Sequence, residues 1–181
     1  MNTIALSILS LLARQPLSGY DLKQQMNNRI SQFIHVSNNQ IYPQLKKLEV
    51  DGLVELSQVT KDGTYPEKKI YAITPTGLTQ LKQASQQEFK DAVIKDGFLV
   101  KVQNSWLFSD EEFQQQIETE RQRHVDKLQV FADKLAQLPT NAEPTLAQDF
   151  ASRAILEYGQ MYEQNYLDWL DQMTSDLPAR K

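Results

Sequence analysis

The sequence contains no cysteine. That absence excludes disulfides, zinc–thiolate centres and a cysteine nucleophile, and it suits a reducing interior. Histidine is scarce: His35 and His124 are the only two, and neither has an evident partner. The His-Glu-x-x-His metal motif, the nucleophile elbow, the phosphate-binding glycine loop and the acidic calcium loop are all missing. No catalytic residue, metal site or cofactor is therefore expected. Glu111-Glu112 reads as charge complementing a helix N-terminus rather than as an acid/base pair. A long apolar run is lacking too. Ile4 to Ala13 is mostly apolar, but no Lys or Arg precedes it as in a signal peptide. It is also far short of the roughly 20 residues that a membrane span needs. It reads as a buried helix, no membrane partner is expected, and the cytoplasm is the default location.

Net positive charge is absent as well: the chain carries −4. The distribution says more than the total. Residues 1–77 hold 8 Lys and Arg against 6 Asp and Glu, whereas residues 78–181 hold 11 against 17. The split, together with the length, points to two domains with different tasks, residues 1–85 and 86–181. The field at one face matters more for binding than the sum.

Periodicity places the elements. Residues 3–14 form a helix that is apolar nearly all round and so buried, ended by Pro16. Ser18-Gly19-Tyr20-Asp21 opens a second helix with a variant of the capping box, followed by Leu22, Met26 and Ile30 at helical spacing. Ser37, Asn38 or Asn39 caps a third helix, whose apolar stripe is Ile41, Leu45 and Leu48. Pro43 requires that helix to start close to Asn39 or to bend. Asp51-Gly52 stops it. Leu53 to Val59 and Lys69 to Thr74 read as strands around the turn Lys61-Asp62-Gly63-Thr64, and Thr74-Pro75 starts a fourth helix. The order helix, helix, helix, hairpin, helix is that of a helix-turn-helix with a β-hairpin wing. From Leu78 onward the chain reads as helical. One helix runs through Leu81 and the polar residues 83–88 and continues or breaks before Trp106. Ser109-Asp110-Glu111-Glu112 is a second capping box. It opens a long helix whose stripe includes His124, Leu128, Phe131 and Leu135 at the alternating spacing of a coiled-coil seam. After a linker at residues 139–144, a last helix carries Phe150, Tyr158, Tyr162, Tyr166, Trp169 and Met173. The expected fold class is mainly α with a small β-hairpin: an N-terminal winged helix-turn-helix and a C-terminal helical domain for dimerisation and effector response.

Helix three faces outward with Asn38, Asn39, Gln40, Gln44, Lys46 and Lys47, and Ser37 stands at its start. Asn and Gln pair with the adenine edge in the major groove, and lysines meet phosphate as point charges. No acid occurs between Asn38 and Leu48, as a surface facing phosphate requires; the alternative is an ordinary solvated face. Lys61, Lys68 and Lys69 on the hairpin suit phosphate contact or edge-strand protection. His124, Leu128, Phe131, Leu135, Tyr158, Tyr162 and Trp169 form the expected dimer core. Trp106, Tyr158, Tyr162, Tyr166 and Trp169 belong to that core or alternatively line a pocket for a flat ligand.

These motifs resemble the PadR family of transcriptional regulators. The resemblance is carried by Leu17-Ser18-Gly19-Tyr20-Asp21-Leu22, by Gln40-Ile41-Tyr42-Pro43-Gln44-Leu45-Lys46-Lys47-Leu48, by Asp51-Gly52-Leu53 and by Glu67-Lys68-Lys69-Ile70-Tyr71. It covers residues 1–80 strongly. It extends more loosely through Lys95 to Lys101 and Tyr166 to Leu170, as in the long members with a C-terminal dimerisation domain. Gln40-Ile41-Tyr42-Pro43 is similar to the family's phenolic-acid-responsive repressors, although Asn38 stands where those often have His and Gly97 where an acid is common. The resemblance implies that helix three enters the major groove of double-stranded operator DNA and that Tyr42 supports a phosphate contact or the helix's pose. It also implies wing contacts by Lys68, Lys69 and Tyr71; Tyr42 and Tyr71 are alternatively packed core. The partners implied are operator DNA, a second copy of the chain and a phenolic acid or other small aromatic effector, with Lys101 or Arg153 as its cation unless each is a solvated charge. The competing function is a winged-helix module that binds protein without specific DNA.

Overall fold

The structure is a computed structural model that describes residues 1–29, 38–60, 68–88, 95–138 and 147–177. The chain divides into two compact units, Met1–Ala92 and Val93–Lys181. Among the described residues no helix is long and apolar enough to cross a membrane.

The first unit is organised around α1 (Thr3–Leu12). Asn2 caps it by accepting from the Ala5 amide at 2.8 Å. Its apolar residues Ala5, Ile8, Leu9, Leu11 and Leu12 are buried among α2 (Gly19–Arg29), α3 (Asn38–Val50) and α4 (Pro75–Ser85). Each large aliphatic side chain so removed from water contributes about 1.5–3 kcal/mol. Leu22 and Met26 of α2, Ile41, Leu45 and Leu48 of α3, and Val54 complete this core. Pro43 sits inside α3, so the helix starts early enough to hold it in its second turn.

The end of α3 is a tightly tied junction. Gly52 takes a left-handed φ of 70°, the Leu53 amide donates to the Leu48 carbonyl at 2.9 Å, and the Gly52 amide donates to Glu49 at 3.0 Å. This pair of bonds closes the helix as a Schellman motif. The Thr74 hydroxyl then donates to the Gly52 carbonyl at 2.8 Å and accepts from the Gly77 amide at 3.0 Å, joining the end of α3 to the start of α4. A Cβ at Gly77 would lie 2.1 Å from the Leu53 carbonyl oxygen, so only glycine permits this approach.

The wing strands β2 (Val54–Thr60) and β3 (Lys68–Ile73) are antiparallel, with Val54 opposite Ile73 and a bulge between Leu56 and Gln58. The sequence reading missed β1 (Leu17–Ser18), which pairs antiparallel with the other edge of β3 and gives the order β1-β3-β2. A two-residue strand has no periodicity to read.

In the second unit α5 (Gly97–Gln103), a short 3₁₀ turn (Ser105–Leu107), α6 (Asp110–Ala136) and α7 (Ala147–Asp176) follow in order. Of the two alternatives for the stretch before Trp106, the structure has the break: α4 ends at Ser85, short of Glu88, and α5 is a separate helix capped by Asp96. Ser109 and Glu112 make the reciprocal capping box at the start of α6. α6 and α7 run antiparallel, with His124 meeting Glu163 and Arg121 meeting Asp171. Phe98, Phe113, Ile117, Leu170 and Leu177 form the core beside this pair.

Candidate nucleic-acid interface

α3 separates its side chains cleanly. Ile41, Leu45 and Leu48 are seated in the core at 2% exposure or less, while Asn39, Gln40, Lys46 and Lys47 are exposed. Asn38 lies within α3, but its side chain is outside the described residues, as are Ser37 and the wing residues 61–67 with Lys61. Gln44 is half-buried and its amide oxygen accepts from the Asn2 amide at 3.0 Å, which ties the start of α1 to α3 and removes Gln44 from the outward set.

Tyr42 is both packed and presented. Its side chain is 53% exposed, yet one edge of the ring lies on Gly19, where a Cβ would come within 2.6 Å of Tyr42 Cε1. Gly19 therefore leaves the space the ring occupies. Tyr71 is turned inward: it is half-buried, packs against the first unit's core and pairs with Leu17 and Leu56 across the sheet. Burial pushes its phenol above the ordinary value, with the charges of Glu49 and Tyr42 acting in the same direction. Its place in the sheet supports the packed-core alternative for this residue.

At the root of the wing, Lys68 and Lys69 are both exposed. Lys68 Nζ stands 3.2 Å from Asp21 Oδ2, a contact absent from the sequence reading. The same Asp21 oxygen accepts from the Ser18 hydroxyl at 2.7 Å and the Ser18 amide at 3.3 Å, while the Asp21 amide donates back to Ser18 Oγ at 3.1 Å. The Ser18 hydroxyl holds the Asp21 carboxyl below its usual range and Lys68 adds to this, against an opposing effect of burial. A half-exposed ion pair of this kind contributes only about 0–1 kcal/mol.

The residues expected at the dimer core divide by location. His124 is 3% exposed and Phe131 2%, and α7 of the same chain occupies both. The His124 ring stacks on Tyr166 at 3.7 Å between centroids, Nδ1 contacts the Glu163 carboxylate, and Nε2 lies 3.5 Å from Glu120. Tyr166 donates to Asp96 Oδ2 at 2.6 Å, while Asp96 Oδ1 caps α5 through the Phe98 amide at 2.8 Å. Burial, then the bond to Asp96, pushes the Tyr166 phenol well above its ordinary value. Phe131 fills the space over Gly159, where a Cβ would lie 2.2 Å from the ring. His124 and Phe131 are thus reassigned from a partner-facing seam to the interior, because side chains this buried have no surface left for a second copy. Trp169 also turns toward its own core, edge-on to Phe98 and Tyr166. Leu128 and Leu135 are half-buried, while Tyr158 and Tyr162 are exposed. An open groove of about 650 Å³ between α6 and α7 is lined by Val125, Leu128, Met161 and polar neighbours. Lys101 lies exposed on α5 and Arg153 exposed on α7.

Glu163, 4% exposed, was missed as a core residue. A signal existed: it falls on the same α7 face as Gly159, Tyr166 and Leu170. The Asp21–Lys68 pair had none, since 47 positions separate the two residues.

The profile of the PadR-like transcriptional regulator family matches residues 8–83, and that of the virulence activator alpha C-terminal region matches residues 94–177. The negative transcriptional regulator PadR of Bacillus subtilis is 31% identical over 175 residues, covering 94% of this chain and 95% of that protein. The crystal structure of B. subtilis PadR in complex with operator DNA matches with a TM-score of 0.85 at 27% identity, over 97% of this chain and 99% of the other. The structure of B. subtilis PadR in complex with p-coumaric acid shares the fold, with a TM-score of 0.80 at 24% identity, over 98% of this chain and 99% of the other.

Proposed function

The chain belongs to the PadR-like family of transcriptional regulators, and from that premise we propose that it is a dimeric repressor that occupies operator DNA and is released by a small aromatic acid. The observation that carries this reading is the division of α3: its apolar side is consumed by the core, and its exposed polar side carries no acid from Asn38 to Leu48, Glu49 standing only in the last turn. Such a helix offers amide side chains to base edges and ammonium groups to phosphate. Asn39 and Gln40 read bases. Lys46 and Lys47 neutralise backbone charge, and Tyr42, seated on Gly19, fixes the helix against the sugar–phosphate chain. Lys68 and Lys69 flank the groove from the wing.

A second copy, joined through the exposed residues of the second unit, supplies the other recognition helix. The operator is then a pseudopalindrome with half-sites about 10 bp apart or a multiple of that. The effector is a hydroxycinnamate-type acid, for which Lys101 and Arg153 are the candidate cations. It acts by binding the DNA-incompetent arrangement more tightly, with a coupling of about 1–3 kcal/mol that is equal in both directions.

Selection of bound duplexes from random DNA, with and without p-coumarate, tests the reading. The expected result is a two-fold-symmetric site with steep salt dependence, bound less tightly when the acid is present. Recovery of no preferred duplex overturns operator binding. A preferred duplex whose affinity ignores millimolar p-coumarate overturns the effector and leaves the repressor.

A further inference from the structure

Lys68 is the first residue of β3 and its ammonium is half exposed, yet it stands 3.2 Å from an acid on α2. An acid close to a surface that meets DNA works against binding unless it has another task. We propose that Asp21 is an intramolecular stand-in for the operator phosphate at Lys68: it holds the ammonium in the DNA-free protein and yields it to a phosphate oxygen on binding, so that Asp21 sets how tightly the wing grips. The inference rests on the operator-binding reading above.

Three observations favour exchange over a permanent clasp. Asp21 does not depend on Lys68, because its Oδ2 already accepts from the Ser18 hydroxyl at 2.7 Å and the Ser18 amide at 3.3 Å. The carboxylate therefore stays hydrogen-bonded when the lysine leaves. The lysine is reachable: its side chain is 53% exposed, against 31% for Asp21, and its four-carbon stem moves the charge without moving the strand. The two anions also offer the same chemistry, a charged oxygen met by a point charge, and exposed pairs of this kind are weak and screened by salt. The exchange is therefore easy but not free: every wing that docks gives up one Asp21 contact. Phosphate contacts are blind to base sequence, so the effect of Asp21 is the same on any duplex, unlike that of Gln40.

A salt-resolved double-mutant cycle on the full-length protein tests this, using the tightest duplex recovered from random DNA and a scrambled duplex of equal length. D21N keeps an oxygen that accepts from Ser18 and removes the charge; D21S puts a short neutral hydroxyl in place of the carboxylate and serves as a second neutral variant. Either is expected to bind both duplexes about three- to tenfold tighter, the scale of one or two exposed pairs per dimer. K68A is expected to flatten the logarithmic salt slope by about 0.9 per protomer, and D21N in the K68A background is expected to gain nothing. An equal gain with and without Lys68 shows simple repulsion between Asp21 and DNA and overturns the exchange. Weaker binding by D21N and D21S, or an unchanged salt slope in K68A, shows a fixed strut and overturns it too. A wild-type protein that selects no duplex overturns the operator reading and this proposal together, whereas a selected duplex bound equally by wild type and D21N overturns this proposal alone.

Discussion

Replacing Gly159 by alanine should loosen the α6–α7 pair. The new Cβ would stand 2.2 Å from Phe131 Cε1, 2.3 Å from Cζ and 2.7 Å from Cδ1. Real Cβ atoms essentially never come closer than 3.0 Å, so the ring must retreat by about 0.8 Å. The obstacle is a rigid aromatic with 2% exposure, not the tip of a flexible chain, and it has no solvent to retreat into. Overpacking of this kind costs about 1–3 kcal/mol. Alanine returns up to about 1 kcal/mol through its better helix propensity, so from the middle of that cost range a net loss of about 1–2 kcal/mol remains. For a chain of this size that lowers the melting midpoint by about 2–8 °C. Calorimetry of the full-length protein reads the shift. The companion measurement is Phe131→Leu combined with Gly159→Ala. The smaller side chain makes room, so the double variant should be more stable than the two single losses add up to. An unchanged or raised midpoint for Gly159→Ala, or strict additivity in the pair, would refute the claim that the ring blocks this position.

Four further outcomes follow from the same structure. Gln40→Ala and Asn39→Ala should each lose about 1–3 kcal/mol of discrimination at particular operator positions, seen as altered ranking across single-base variants; a uniform loss would assign them to the backbone. Gly19→Ala should dislodge Tyr42 and weaken binding on all duplexes to the extent that Tyr42→Ala does, with little change in melting because that ring is half exposed. Lys69→Ala should flatten the salt slope of operator binding by about 0.9 per protomer, read from titrations at several salt concentrations. Tyr166 carries a phenol raised above its ordinary value, so the folded state holds this proton more tightly than the unfolded one. Its contribution is fully present below about pH 10 and is lost as pH rises beyond that. Tyr166→Phe should accordingly lose less stability than wild type between neutral and strongly alkaline pH in denaturant titrations.

What was legible in the sequence was mostly local. The Ser18–Asp21 and Ser109–Glu112 boxes, the Gly52 stop and the Thr74-Pro75 start act over three or four residues, and the side chains that fix them are adjacent in sequence. The exposure of Asn39, Gln40, Lys46 and Lys47 on α3 was legible for a related reason, since one helical period assigns both faces; Gln44 was misplaced because its bond to Asn2 comes from 42 positions away. Periodicity does not say which helix a stripe will meet. The stripe through His124 and Phe131 has the spacing of a seam, and α7 of the same chain fills it as well as a second copy would. The end of α4 was hidden for lack of a stop: Gln86, Gln87 and Glu88, which follow Ser85, continue a helical pattern without a glycine or proline. Asp96 and Tyr166, which bond across 70 positions, carry no mark of each other.

The two tryptophans have opposite surroundings. Trp106 is 76% exposed, whereas Trp169 stands edge-on to Tyr166, with ring centroids 5.1 Å apart, and Tyr166 in turn stacks on His124. The intrinsic fluorescence of this protein is therefore two signals rather than one. A water-borne quencher reaches Trp106 first and dims the redder part of the emission, leaving light that comes chiefly from Trp169. What survives quenching is a built-in gauge of the order around Tyr166, readable without a label while DNA or a small molecule is added.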